Sequence, residues 1–228
     1  MSENEFILKL KKIGIVLSEQ QKKQFREYAS FLQHYNQKVN LTAITKIDEI
    51  YLKHFYDSII SSRYYSFSNQ KILDIGTGAG FPGIPLLICF PNLKLTVLDS
   101  NNKKIKFLYE LKNKLDLNYE ILYDRAENIT SLREKFDIVV SRAVTSLPIL
   151  MELSIPYLKV NGVLISYKGK INESIDTALS KLNCTLLSSN NLFLQENDLE
   201  RTFVIIKKEA ETEIIYPRTY DKIKKNPL

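Results

Sequence analysis

The chain has 228 residues, of which 44% are hydrophobic and 25% charged, with 32 Lys plus Arg against 26 Asp plus Glu and a formal charge of +6. That length holds one sizeable domain, alone or with an appendage, and the composition excludes collagen-like, low-complexity and extensively disordered chains. The basic excess admits a polyanion partner without demanding one, and no apolar run approaches the roughly 18 residues of a membrane span.

Residues 1–70 carry no strand pattern. Ser18 and Gln21 form a capping box, after which Phe25, Tyr28, Leu32 and Tyr35 recur at helical spacing. A turn is expected near Asn36 to Asn40, and Ile50, Phe55 and Ile59 mark a second helix. Residues 1–70 are therefore expected to be a helical N-terminal extension, followed by the main domain over 71–228. Its opening residues, Met1-Ser2-Glu3-Asn4-Glu5, lack the basic region of a secretory leader, and a cytoplasmic protein is expected.

The pattern changes at Lys71. Ile72-Leu73-Asp74-Ile75 is a short strand running into glycines, and Leu86 to Phe90 is the buried helix behind it. Leu93 to Leu98 is a second strand ending in Asp99. Residues 101–115 form a basic amphipathic helix with Ile105, Leu108 and Leu111 inward. Tyr119 to Tyr123 and Phe136 to Val140 are the third and fourth strands. A helix over 145–158 tolerates Pro148 in its first turn. Asn161-Gly162 is a turn, Val163 to Tyr167 a fifth strand, and 172–182 a helix. Thr185 to Leu194 and Thr202 to Lys207 pair as an antiparallel hairpin around Gln195 to Glu200. Strands alternating with helices predict an α/β fold: a mostly parallel, Rossmann-like sheet of seven strands with helices on both faces.

The strongest local signal is Asp74-Ile75-Gly76-Thr77-Gly78-Ala79-Gly80-Phe81-Pro82-Gly83. Glycines there let the strand turn sharply and let a ligand approach the backbone, and the helix that follows opens with unpaired N–H groups. Gly78-x-Gly80-x-x-Gly83 formally matches a dinucleotide fingerprint. The register that starts at Gly76 fits the strand end better, and it places Asp74 where a carboxylate can face an ammonium group. A pyrophosphate gains nothing from that carboxylate, whereas an amino-acid moiety gains charge-assisted bonds. Asp99 follows the second strand, where an acid can take both hydroxyls of an adenosine ribose, or can cap the next helix together with Ser100, Asn101 and Asn102.

Further runs extend this pattern: Asn40-Leu41-Thr42, His54-Phe55-x-Asp57-Ser58, Phe81-Pro82-Gly83-Ile84-Pro85, Leu98-Asp99-Ser100, Arg125-Ala126-Glu127, Ser141-Arg142-Ala143, Lys168-Gly169 and Tyr216-Pro217-Arg218. With them the chain resembles the bacterial ribosomal RNA small subunit methyltransferase G family, over roughly residues 35 to 228. The resemblance implies a class I methyltransferase fold, S-adenosyl-L-methionine as methyl donor, and N7 of a guanine in 16S ribosomal RNA or the small subunit as acceptor. It implies Gly76, Gly78 and Phe81 at the cofactor loop, Asp99 at the ribose, Ala126 and Glu127 beside the adenine, and Arg142 on the cofactor and substrate side; Gly80 of the same glycine run is a further cofactor-binding candidate. Lys168, Arg201 and Arg218 fall in basic segments assigned to RNA or phosphate. Members usually carry Gly and Pro soon after Tyr-Pro-Arg; here Thr219 to Asn226 stands instead, which leaves the path of the tail open.

Guanine N7 needs no deprotonation, so no strong base is required, and Arg142 is the residue expected to position the base or its phosphate; an ion pair at the end of the fourth strand is its other reading. Lys222, Lys224 and Lys225 are the tail's expected phosphate contacts, while the lysines between Lys103 and Lys114 read as a solvated helix face. His54 and Asp57 can share a helix face and dock the extension, with Lys53 a second RNA candidate. Tyr64 and Tyr65 pack a domain edge or stack on bases. Cys89 and Cys184 read as free thiols, and no metal-ligand spacing occurs. An NAD-dependent oxidoreductase, a methyltransferase on another RNA or a small molecule, and a non-catalytic RNA-binding protein are the competing readings.

Overall fold

The computed structural model describes all residues except 143–144, 170–172 and 196–197. Helix α1 (Glu3–Lys12) and helix α2 (Glu19–Val39) each begin with a serine capping box. A short helix α3 (Ile47–Glu49) runs into a π-helical stretch, Ile50–Tyr56, and on into α4 (Asp57–Ile59) and a 3-10 turn, Ile60–Arg63. The α/β part follows as β1 (Lys71–Ile75), α5 (Gly83–Cys89), β2 (Lys94–Asp99), α6 (Asn102–Leu115), β3 (Glu120–Tyr123), β4 (Phe136–Arg142), α7 (Leu147–Ser154), β5 (Leu158–Lys168), α8 (Asp176–Lys181), β6 (Cys184–Gln195), β7 (Asp198–Lys208) and α9 (Tyr220–Lys225).

The seven strands lie in the order β3-β2-β1-β4-β5-β7-β6. β1 to β5 are mutually parallel, and β7 enters antiparallel between β5 and β6. Strand residues alternate between two apolar layers because successive side chains point to opposite faces. Ile72, Leu95, Val97, Ile138 and Val140 join the layer containing α2, α5 and α6, whereas Leu73, Ile75, Val139 and Leu164 join the layer of α7, α8 and α9. The helical extension belongs to the first layer. Phe6, Phe25 and Phe55 are buried there, with ring centroids of Phe6–Phe25 and Phe25–Phe55 both 5.0 Å apart. Removing a fully buried ring such as Phe55 costs about 3–5 kcal/mol, so this layer holds the extension firmly.

Several boundaries differ from the sequence expectation. α1 has little signature in the sequence because its apolar stripe is narrow: only Phe6 and Leu10 are buried in ten residues. α2 continues through the expected turn at Asn36 and stops at Asn40, which adopts φ 49° and closes the helix. The turn expected at Asn161-Gly162 lies within β5; Asn161 takes φ 69° and the β4–β5 register shifts between Phe136 and Ile138, so the chain bulges without leaving the sheet. The helix expected over 145–158 ends at Ser154, since the 3-10 turn Ile155–Tyr157 feeds β5 directly. The helix expected over 172–182 is shortened to α8, residue 172 lying outside the described residues. Pairing continues to Gln195 and Asp198, which leaves Glu196 and Asn197, outside the described residues, between the hairpin strands. Ala143 also lies outside them.

Candidate active site

The glycine run is held as a tight loop against the end of β2: the Gly76 and Thr77 amides donate to the Leu98 carbonyl at 2.9 and 3.1 Å. Gly78 takes φ 62°, and a Cβ added there would meet nothing within 4 Å, so its backbone is bare toward the adjoining cavity. Gly80 plays a different part from the one expected. It does not line the cavity; an added Cβ would come within 2.5 Å of Ile84 Cδ1 and 2.6 Å of Tyr28 Oη, so glycine is needed there to let α2 and α5 approach.

Asp74 also departs from expectation. Its side chain is fully buried and is not among the lining residues. Oδ2 accepts from Thr77 Oγ1 at 2.7 Å and from the Gly83 amide at 2.8 Å, which fastens both ends of the loop. Oδ1 has no hydrogen-bond partner among the described residues. Burial pushes the carboxyl up to about 7 despite those two donors.

The cavity measures about 510 Å³ and crosses the C-terminal ends of the strands in sheet order. Arg142 of β4, with Thr42, His54 and Phe81, forms one end. Gly76, Gly78 and Asp99 form the middle, and Lys104, Arg125, Ala126, Glu127 and Tyr220 form the end beyond β3.

In the middle, Asp99 Oδ2 accepts from the Gly78 amide at 3.0 Å and from Lys104 Nζ at 3.3 Å, and Oδ1 accepts from the Asn101 amide at 2.9 Å. Asn101 caps α6 through its own side chain, so the two roles suggested for this segment are divided between two residues. Beyond β3, Arg125 Nε donates to Glu127 Oε1 at 2.5 Å, and its guanidinium carbon lies 4.5 Å from the centre of the Tyr220 ring.

The β4 end is a dense polar and aromatic cluster. Phe81 is stacked between His54, at 4.3 Å and 13°, and Tyr28, at 5.4 Å and 7°. Arg142 Nη1 donates to the Lys53 carbonyl, in the π-helical stretch, at 3.0 Å and to Asp57 Oδ2 at 3.1 Å. Arg142 Nη2 lies 3.0 Å from His54 Nδ1. A guanidinium only donates, so Nδ1 is the acceptor and the imidazole hydrogen sits on Nε2, which donates to Thr42 Oγ1 at 3.0 Å. The Ile44 amide donates to the same oxygen at 3.1 Å, so the Thr42 hydroxyl is polarised as a donor at the cavity wall. His54 is neutral for two reasons: burial pushes its pKa down to about 3, and the Arg142 charge acts in the same direction.

The expected RNA-contacting residues divide sharply. Arg201 Nε is 2.9 Å from Asp57 Oδ1, so the buried Asp57 carboxylate joins β7 to β4, and Arg201 is committed to the fold. Arg218 forms a two-pronged pair with the fully buried Glu152, at 2.8 and 2.6 Å, and donates to the Asn226 carbonyl at 3.0 Å. A tail arginine read as phosphate-facing is therefore the anchor of the tail. Lys168 donates to the Thr145 carbonyl, and burial lowers its pKa. Lys222, Lys224 and Lys225 are exposed along α9, which is fixed by buried Ile223. Lys53 is paired with Glu49 at 2.7 Å. Tyr64 and Tyr65 lie against Phe203 and Phe67 respectively.

Lining residues to which sequence reasoning gave no ligand role include Thr42, Lys104, Arg125 and Tyr220. Lys104 had a signal, since it follows Asp99 by five positions in the first turn of α6. Tyr220 had none, because its place depends on how the tail folds back. Among the described residues no group of three or more His, Cys, Asp or Glu is placed to hold a metal ion, and no helix is long and apolar enough to cross a membrane.

Comparison with known proteins gives a consistent set of similarities. A family model described as rRNA small subunit methyltransferase G (GidB) matches residues 21–204. The ribosomal RNA small subunit methyltransferase G of Oceanobacillus iheyensis is 43% identical over 237 aligned residues, covering 100% of both chains. The protein of the same name from Bacillus cytotoxicus is 44% identical, covering 100% of this chain and 99% of its own. Among solved structures, an S-adenosylmethionine-dependent methyltransferase from Aquifex aeolicus aligns with a TM-score of 0.54 at 16% identity, covering 70% of this chain and 93% of that one. M. jannaschii TYW2 in complex with AdoMet gives a TM-score of 0.54 at 15% identity, covering 67% and 76%. At such identities the structural likeness concerns the fold.

Proposed function

The chain belongs to the rRNA small subunit methyltransferase G family, and from that premise we propose that it transfers a methyl group from S-adenosylmethionine to N7 of a guanine in 16S ribosomal RNA at this cavity. The observation that carries the siting is the bare backbone of Gly78 beside the Asp99 carboxylate, in a cavity opening at the ends of β1 and β2. Ligands of open α/β sheets bind outside the carboxyl ends of the strands.

The residues fit the methyl donor. A volume of 510 Å³ falls within the range of about 300–1,000 Å³ common for small-molecule pockets. A carboxylate offers about four acceptor positions. Gly78, Asn101 and Lys104 occupy three on Asp99, and the 3.3 Å Lys104 contact is the one that ribose hydroxyls can displace. Ala126 leaves room for a flat base, and Glu127 offers its carboxylate beside it.

When bound, S-adenosylmethionine would supply an electrophilic methyl carbon on a positively charged sulfur, the N7–carbon bond forming as the carbon–sulfur bond breaks and neutral S-adenosylhomocysteine leaves. The chain's task is then to hold and exclude. His54 is unsuited to act as a base, because Arg142 already occupies its free lone pair. Arg142 presents its guanidinium 4.9 Å from the Phe81 ring centre and, fixed by Asp57, offers its remaining N–H groups to a guanine O6 or a phosphate. The Thr42 hydroxyl adds one donor at that end. Lys222, Lys224 and Lys225, with Lys168 at the end of β5, serve as phosphate contacts, and a cytoplasmic location follows from the substrate.

The test is labelled methyl transfer into total RNA from cells lacking this protein, followed by mapping of the modified base. Incorporation at a guanine N7 of 16S rRNA is expected, and Asp99→Asn should reduce it chiefly through the KM for the donor. Incorporation confined to another RNA or another atom would overturn the assignment.

A further inference from the structure

The tail after Arg218 is anchored at three points. Arg218 grips buried Glu152 through its backbone amide, Nε and Nη2, and also the Asn226 carbonyl beyond α9. Ile223, in the middle of α9, is fully buried among α7 and neighbouring residues. The amides of Lys222 and Ile223 donate to the Thr219 carbonyl at 3.0 and 3.1 Å, closing the first turn. Tyr220 is thus carried on a fixed support, and it lines the cavity more than 90 positions after Ala126 and Glu127, its neighbours there.

Its surroundings are ordered too. Arg125 lies over the ring at 4.5 Å and is itself tied to Glu127. Asp124 Oδ1 accepts from the Arg125 amide at 2.7 Å and from Asn128 Nδ2 at 2.9 Å, which braces the loop after β3. Sheet order puts this loop at the opposite end of the cavity from Arg142, with Asp99 between them. If Asp99 takes the ribose, one side of it receives the amino-acid arm and the other the base. The Tyr220 side offers a flat aromatic ring on which a purine face can pack, while a cation on the ring fixes its position.

We propose that Tyr220, braced by Arg125, forms the wall against which the adenine of the methyl donor packs, so that the C-terminal tail is part of the donor site. The proposal rests on the reading of the cavity as an S-adenosylmethionine site. It adds a binding residue from the C-terminal tail, far in sequence from the loop after β3.

Calorimetry with S-adenosylhomocysteine on the full chain tests it, with adenosine as a second probe. Stacking on an aromatic side chain commonly contributes enough that Tyr220→Ala should weaken S-adenosylhomocysteine by about 5- to 20-fold, and adenosine by a similar factor. Tyr220→Phe should stay within about twofold of wild type, since the ring is retained and only the hydroxyl lost. Tyr220→Leu, which keeps an apolar contact for the tail, should also weaken binding, and it stands in for the alanine variant if that one fails to fold. Wild-type affinity in Tyr220→Leu or Tyr220→Ala would overturn the proposal while leaving the donor site intact. Unchanged affinity with a raised KM for RNA would overturn it in favour of a role for the ring against an RNA base. Failure of the wild-type chain to bind S-adenosylhomocysteine would remove the underlying cavity assignment itself.

Discussion

The two ends of the cavity are built on opposite principles. At the β4 end, Asp57 is buried between two arginines from different strands, His54 is neutral, and Phe81 is clamped between two rings. At the β3 end, Lys104 and Arg125 are partly exposed, their ion pairs are short-range in sequence, and an aromatic ring from the tail completes the wall. Ion pairs occur at both ends, yet burial decides what each does. A buried charge must keep its partner or be left without solvent or counter-charge, so it fixes geometry; a solvated charge can exchange partners and admit a ligand.

Removing Asp57 is the most severe way to break this contrast. Asp57→Ala strips two guanidinium groups of their shared counter-charge and should destabilise by about 3–5 kcal/mol. For a chain of this size the corresponding fall in Tm is roughly 6–20 °C by thermal denaturation. A fall below about 2 °C would mean that the arginines find other partners and that the β4 end is no more rigid than the β3 end.

Asp74, beneath the loop that joins the ends, gives the contrast a pH signature. Its carboxyl is held up at about 7, against 3.8 for the ordinary group, chiefly by desolvation. Between those values the unfolded chain has released the proton and the folded chain retains it, so stability falls as pH rises from about 4 to about 7 and then levels. The loss approaches roughly 4 kcal/mol if no other group compensates. Asp74→Asn cannot ionise, so the difference in denaturant midpoint between variant and wild type should widen in the variant's favour across that interval. A constant difference would place the ionisation of Asp74 outside it.

Which parts were legible follows the same division. The loop from Asp74 to Gly83 and the acid at Asp99 could be read because adjacent residues and a strand end create them. Alternating apolar runs likewise revealed the strands, and resemblance to the family supplied Ala126, Glu127 and Arg142 as site residues. The structural pairing of Arg201 and Arg218 is invisible in the sequence because their partners, Asp57 and Glu152, lie 144 and 66 positions away. A basic residue in a basic segment looks solvated until the fold supplies a buried acid. The role of Gly80 is hidden in the sequence for a related reason: besides Ile84 Cδ1, the atom that crowds that position is Tyr28 Oη, on a helix that the sequence assigns to a separate extension.

The exposed lysines of α9 sharpen the comparison from the RNA side. Lys222, Lys224 and Lys225 make up most of the tail's exposed positive charge, and replacing all three with Gln should leave Tm nearly unchanged. If all three meet phosphates, the slope of log affinity against log salt should become less steep by roughly 2–3. Filter binding to 16S rRNA across a salt series measures it. An unchanged slope would move the RNA footprint away from the tail.

The smallest effect expected is at Lys104, the counterpart of Arg142 on the other side of the cavity. Its Nζ is 3.3 Å from Asp99, but the side chain is 32% exposed, against 13% for Arg142. Water can replace Lys104 at the carboxylate, and Asp99 keeps two backbone amides as donors. Lys104→Gln should therefore cost less than about 1 kcal/mol, and raising salt should shrink even that. Two acids, Asp57 between two arginines and Asp99 beside one lysine, would then differ several-fold in what their ion pairs contribute to stability. A loss at Lys104 as large as that at Asp57 would show that solvent does not reach the β3 end, and the distinction between a rigid and an adaptable side of the cavity would fail.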